Sequence, residues 1–275
     1  MSDTDFLPAF PEDWEPTRAT LHAYAHGVGA VPRTLAEPHP KWWHASLKVT
    51  ADGLVTEPVA VPEGGTLRFR MDFTAHTVVL ETEQGAGASF DMTAGRTGTE
   101  FADDLIAAAG RLGVEGEFDR SKFENDEDRS YDPAAAAAFW TAISNVAGLM
   151  ETHKAAVGGD TSPVQVWPHG FDLSFEWFGT RVETYEEEGE SVDYPSQLNF
   201  GFYPQGDAYF YSNPWPFEGE KLTEIELPHG AVWHTEGWEG TMLPYAEVAG
   251  DSDAEAKVAA YARAVFDAAS PTLTG

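Results

Sequence analysis

The chain has 275 residues and a formal net charge of −30, from 46 Asp and Glu against 16 Lys and Arg. Charged residues make up 23% of it, close to the ~25% of ordinary soluble proteins, so the charge is one-sided rather than abundant. The absence of Cys excludes disulfides, thiolate metal sites and a cysteine nucleophile, and the lack of a basic footprint argues against nucleic acid as a partner.

Self-repulsion on this scale weakens a compact state in dilute buffer, whereas in molar salt the Debye length falls to about 3 Å and the penalty nearly vanishes. A salt-adapted cell is therefore the expected source, with acidic clusters such as Glu186-Glu187-Glu188 gaining most from the screening. A hydrophobic content of 42%, with 13% aromatic, argues against disorder. No apolar run reaches the ~18 residues of a membrane span. The start, Met1 to Phe6, lacks the basic and apolar regions of a signal peptide. A cytoplasmic location and no membrane partner are expected.

In chain order, a first helix is expected from Pro16, a good first-turn residue, to the glycines Gly27 and Gly29. Strands are expected at 42–50, 54–59, 66–73, 77–83 and 88–92. Thr97-Gly98-Thr99-Glu100 has capping-box spacing and opens a helix with Phe101, Leu105, Ala108 and Leu112 on one face. Asp132-Pro133 opens the longest helix, striped by Phe139, Ile143, Val146 and Met150 and ended by Gly158-Gly159. Strands follow at 164–167, 171–178, 197–203 and 208–212, with a short one near Val232. Ser252-Asp253-Ala254-Glu255 is a second capping box, before a helix with Val258, Ala262, Val265 and Ala269 on one face. The order repeats: a proline-started helix, several strands, then a capping-box helix. This predicts an α+β fold, mainly antiparallel sheet from two pseudo-equivalent α–β–α halves with helices packed on one side. The halves are 1–112 and 132–275, joined by an acidic connection at 113–131 into one compact unit.

Alternation along 41–50 puts Trp43, Ala45, Leu47 and Val49 on a core face and Trp42, His44, Ser46 and Lys48 on the other. An aromatic beside an imidazole and a hydroxyl suits a pocket for a polar small molecule, or simply a solvated sheet face. Arg68 and Arg70 resemble a basic patch. A two-residue turn at Ala75-His76 pairs Arg70 with Glu81, Arg68 with Glu83, Met71 with Leu80 and Phe73 with Val78, so both arginines already have partners. His22 and His26, four apart on a helix, could present two imidazoles to a metal if His44 or His76 completed the set.

Ser162, His169 and Asp172 supply the residue types of a hydrolytic triad, but there is no Gly-x-Ser-x-Gly elbow and Ser162 precedes proline. Gln197, Asn199 and Tyr203 share one strand face and Tyr209 and Tyr211 another, ahead of the rigid Asn213-Pro214-Trp215-Pro216-Phe217 loop. Such aromatics and amides suit a carbohydrate-like or heteroaromatic ligand, or cap a large aromatic core. Gly85-Ala86-Gly87 lies between strands and reads as a hairpin turn, so there is no phosphate loop and no cofactor is expected.

The chain resembles a prokaryotic family filed as domain of unknown function 5996. The matching stretches are Thr20-Leu21-His22, Trp42-Trp43-His44, Leu47 with Val49-Thr50 and Gly53-Leu54, and Phe73 with His76. They continue through Asp128-Arg129, Tyr131-Asp132-Pro133, Phe139-Trp140, Ser162-Pro163-Val164 and Phe171-Asp172-Leu173. Gly179 with Arg181, Gly201-Phe202 with Pro204, and Leu243-Pro244-Tyr245 complete a string that runs from about Leu7 to the last helix. The resemblance implies a shared fold and no particular activity; with the charge balance it implies a haloarchaeal member. It singles out His22, His44, His76, Arg129, Ser162 and Asp172 as polar positions that packing does not demand. The chain departs from the family pattern at Ala75, where Asp is usual before the His, at Gln165 for a His, and at Pro195-Ser196 for His-Glu. Those departures argue against a catalytic or metal site there.

Three readings stand. The first is a cytosolic small-molecule-binding protein, catalytic or not, with a pocket drawn from Trp42, His44, His22, His76, Arg129, Ser162, Asp172 and Tyr203 and holding no metal. The second is a structural or partner-binding protein without catalysis. The third is a metal-dependent hydrolase using His22, His26 and His44.

Overall fold

A computed structural model of the chain describes residues 5–187 and 189–275. Glu188 of the acidic triplet, and the first four residues, lie outside the described residues. The fold is mixed α+β with antiparallel pairing in every described strand pair. Contacts divide the chain into two units. One comprises Phe10–Ser144 with Gln165–Asp172; the other comprises the segment ending at Ala9, Asn145–Val164 and Leu173–Gly275.

The elements run α1 (Glu15–Leu35), β1 (Leu47–Thr50), β2 (Gly53–Thr56), β3 (Val59–Ala60), β4 (Thr66–Asp72), β5 (Thr77–Thr82), β6 (Gly85–Asp91) and α2 (Gly98–Gly110). Then come α3 (Pro133–Val157), β7 (Asp160–Thr161), β8 (Gln165–Trp167), β9 (Asp172–Glu187), β10 (Glu190–Tyr203) and β11 (Tyr209–Ser212). β12 (Pro214–Trp215), α4 (Gly219–Leu222), β13 (Val232–His234), β14 (Gly240–Pro244) and α5 (Ala254–Ala269) complete the chain. Among the described residues, α3 alone is long and apolar enough to match a membrane span, and half of that stretch is buried in the protein.

In the first unit the sheet order is β6-β5-β4-β2-β1-β8, with β3 on β4. Helix α1 does not stop at its glycines; it runs on to Leu35, through Gly27 and Gly29. The reason is packing. A Cβ on Gly27 would lie 3.1 Å from the Ala102 Cβ, and one on Gly98 would lie 3.2 Å from the Ala23 Cβ. The glycines let α1 and α2 approach closely instead of ending the helix. The Thr97–Glu100 capping box forms as predicted, both bonds at 3.1 Å. Tyr24 of α1 stacks on Phe101 of α2 with ring centroids 3.9 Å apart, and its hydroxyl donates to the Arg96 carbonyl.

Two expectations change here. The strand predicted at 42–50 begins only at Leu47, because Trp42 is left-handed (φ 60°) and Trp43–Ala45 form a 3-10 turn. The β4–β5 register pairs Arg68 with Glu81, Arg70 with Val79 and Met71 with Val78, around a four-residue turn, Phe73 to His76, rather than Ala75-His76 alone. The Asp72 carboxylate makes that longer turn by accepting from the N–H groups of Thr74 and Ala75. Both arginines nevertheless converge on Glu81, at 2.9 and 2.7 Å, so they are partnered as expected.

The second unit's sheet is ordered β13-β14-β11-β10-β9, with β12 on β10 and β7 on β9. β9 and β10 extend well past the apolar stretches, through Thr180–Glu187 and Glu190–Pro195, where acidic residues hide the strand signal. β14 escapes the apolar pattern because Gly and Pro bound it; Gly240 is needed, since a Cβ there would fall 2.3 Å from the Ser212 carbonyl oxygen. The Ser252–Glu255 capping box does not form. Asp253 is the N-cap, and the Asp251 carboxylate accepts from the Asp253 N–H while pairing with Lys257. An ionised acceptor with a cation beside it outcompetes a serine hydroxyl.

Replacing Gly27 with Leu should cost about 1–3 kcal/mol by overpacking against Ala102. Gly148→Ala in α3, where nothing lies within 4 Å of the new Cβ, should add about 0.5–1 kcal/mol. Denaturant midpoints at one fixed KCl concentration would check both.

Candidate functional site

Helix α1 carries a polar ridge on one face, Arg18, His22, His26 and Arg33, at spacings of four, four and seven residues that align side chains. Around it, within the first unit, lie the turn at Lys41 to Ala45, the loop Glu117 to Phe123 after α2, and the Trp167 to His169 turn after β8. These enclose a cleft of about 760 Å³, lined by His26, Arg33, Lys41, Trp42, Lys122, Phe123, Trp167 and His169 among others. A second cavity of about 330 Å³ shares His26, Ser121, Lys122 and Phe123 with it and adds Arg18, His22, Asn125 and Arg129. The larger volume falls within the roughly 300–1,000 Å³ of small-molecule sites.

Trp42 is 55% exposed at the rim, an unusual place for so large an apolar surface. Its positive φ costs energy for a bulky residue and marks a held conformation. The His39 carbonyl accepts from its N–H, the Arg33 guanidinium lies 5.2 Å from its ring centroid, and His44 stacks against it at 5.4 Å.

The two ridge histidines form one hydrogen-bonded chain. Arg18 Nη1 lies 3.5 Å from His22 Nδ1, His22 Nε2 lies 3.3 Å from the His169 carbonyl, and His26 Nε2 lies 3.1 Å from His22 Nε2. One neutral arrangement fits these contacts: His22 Nδ1 accepts from Arg18, and its Nε2–H donates toward the His169 carbonyl and His26 Nε2. Both rings are then neutral. Burial, and secondly the Arg18 charge, holds His22 below the usual imidazole value. Burial, then His22, pushes His26 down to about 4.

Of the residues expected at a site, His22 and Arg129 share the smaller cavity, and Trp42 lines the adjoining cleft. His44 lines neither. Its Nδ1 accepts from the His39 N–H at 3.1 Å, and burial holds its pKa below the usual imidazole value. His76 sits in the β4–β5 turn, its Nδ1 2.9 Å from the Tyr131 hydroxyl. Asp172 opens β9 and lines neither cavity. In the second unit, the buried Ser162 hydroxyl donates to the Pro163 carbonyl and accepts from the Glu176 N–H. Tyr203 packs beside Tyr209 on its sheet, the rings tilted by 38° with centroids 5.3 Å apart.

The predicted Ser46–Lys48 face is internal. Lys48 Nζ donates to the Trp43 carbonyl, Ser46 Oγ and Gln165 Oε1 at 3.0, 2.6 and 2.7 Å, and burial lowers its pKa. No group of three His, Asp or Glu that could hold a metal occurs among the described residues. His44 Nδ1 is occupied by the His39 N–H, and His44 does not share a cavity with His22 and His26.

Sequence reasoning missed Arg18, Arg33, Lys41, Lys122 and Trp167. The available signal was charge: Lys122 is a cation inside a connection read only as acidic.

A family model described as a family of unknown function (DUF5996) matches residues 7–274. No curated protein and no solved structure matches the chain.

His26 titrates near 4 when folded and near 6.5 when unfolded, so below about 6.5 the unfolded chain takes up the proton first. Stability present above pH 6.5 should therefore fall by about 1–3 kcal/mol as the pH drops toward 4. His26→Asn should flatten this part of the profile, read from unfolding midpoints at pH 7, 6, 5 and 4 in constant KCl.

Proposed function

We propose that the chain, which belongs to the family of unknown function DUF5996, is a small-molecule-binding protein whose ligand occupies the cleft beside α1. One observation carries the reading: a strained, exposed Trp42 stands at the rim of a cavity of about 760 Å³, with Trp167, Phe123 and His26 in the same lining. Aromatic walls with a few convergent polar groups are what a planar organic ligand uses. The Arg33 and His44 contacts that hold Trp42 outward fix the wall before any ligand arrives, which limits the ordering cost of binding.

A salt-rich cytoplasm is the proposed setting, supported by the excess of 46 acidic over 16 basic residues. The α–β–α order in both halves supports the further proposal that they are pseudo-equivalent.

A thermal-shift panel of nucleotides, amino acids, sugars and aromatic acids in molar KCl should yield at least one stabilising compound. Its shift should disappear in Trp42→Ala, whose own melting temperature should stay close to the parent's. If no class shifts the melt, or if Trp42→Ala keeps the shift, the cleft is not the ligand site. Separately, the melting temperature should rise by many degrees between dilute buffer and 2 M KCl; equal values would remove the salt-adapted reading.

A further inference from the structure

The smaller cavity beside the cleft differs in character from its neighbour: it is polar, and it contains a buried guanidinium. Arg129 has only 5% of its side chain exposed, yet its paired carboxylate, Glu127, is 78% exposed. The Arg129 Nη2 is taken by Asn125 and Glu127, whereas the enclosed Nε has no acceptor. A buried charge held mainly by a solvated partner is under-compensated, and a buried donor left unmade is costly.

The surroundings add to this charge. Arg18, Arg33, Lys41, Lys122 and Arg129 line the two joined cavities, five of the chain's 16 Lys and Arg. Only four of its 46 Asp and Glu line them. Asp119 among these is engaged by the Ser121 N–H and hydroxyl, and Glu124 by Arg120. Lys122, at the junction of the cavities, makes no described ion pair. Arg18 is itself paired with Glu15, but five cations to four carboxylates, in a protein of net charge −30, still make this lining far more positive than the rest of the chain, and such a pocket favours anions.

We propose that this cavity is an oxyanion subsite of the cleft, and that the ligand joins a planar ring at Trp42 and Trp167 to a carboxylate or phosphate at Arg129 and Lys122. The inference rests on the cleft reading and deepens it by naming the ligand's charge. Guanidinium matches either oxyanion with paired N–H donors, and Lys122 supplies a point charge on the open side. Neutral His22 and His26 form the wall between ring and anion.

The test is titration calorimetry of the intact chain with four compounds that share one ring, namely phenyl phosphate, benzoate, benzyl alcohol and benzylamine, and with inorganic phosphate. At least one of the first two should bind tenfold or more tightly than the alcohol and the amine, and which one leads identifies the oxyanion. Lys122→Gln, an exposed change that leaves folding intact, should weaken that binding three- to tenfold and leave the alcohol unaffected. Arg129→Gln should abolish the preference and Arg129→Lys should restore part of it. Equal binding of all four ring compounds overturns the subsite but leaves the cleft standing. Binding of inorganic phosphate, sensitive to Lys122→Gln, while no ring compound binds, keeps the subsite and removes the cleft. A preference for oxyanions that survives both Lys122→Gln and Arg129→Gln overturns the assignment.

Discussion

The approach of α1 to α2 is the constraint on which the first unit is built. Where Gly27 meets Ala102 and Ala23 meets Gly98, another methyl group would sit 3.1–3.2 Å from its neighbour and force the helices apart by a few tenths of an ångström. With α1 seated there by its small residues and by Leu21, Tyr24 and Val28, all fully buried, its remaining face cannot rotate away. That face bears Arg18, His22, His26 and Arg33. The helix packs against β2, β3 and β4 of its own sheet, so the polar ridge meets the turn at Lys41 to Ala45 and the loops after α2 and β8. Core packing thus decides where the cations point, and the cavities are what remains between the ridge and those loops.

Polar groups around the ridge are arranged so that few are wasted. His44 accepts from the His39 N–H, His22 meets the carbonyl of His169, and His26 bonds His22. His22 thereby ties α1 to the turn that walls the cleft. The neutrality of His22 and His26 follows from their burial, which leaves the fixed charges of Arg and Lys to set the potential of the site. The Lys48–Ser46–Gln165 network likewise ties β1 to β8 and positions the turn that carries Trp167.

Much of the fold could be read directly. The Thr97–Glu100 box, the Asp132-Pro133 start and the Gly158-Gly159 stop are local chemistry, and they form as local chemistry predicts. The misreadings share a cause: a local signal competing with a distant partner. Gly27 looked like a stop signal until α2 supplied a reason for it inside a helix. Trp42 to Ser46 alternate like a strand, but the left-handed Trp42 and its 3-10 turn are stabilised by the His39 carbonyl three residues back and by Arg33 on the preceding helix, which the alternation does not register. Asp251 displaced Ser252 at α5 because Lys257, one turn on, strengthens it.

By itself, the amino-acid order determined the charge imbalance, the α+β class and most element starts, because these rest on composition, periodicity and short-range hydrogen bonds; His22 and Arg129 were singled out by the family resemblance and Trp42 by the alternation along 41–50. Only the tertiary structure decided which of the polar residues share a cavity. It paired His22 and Arg129 with the unforeseen Lys122 and set His44, His76 and Ser162 to backbone and side-chain fastening. The physical reason is that a site depends on the direction in which side chains converge, and direction is set by helix seating and loop closure between residues about a hundred positions apart.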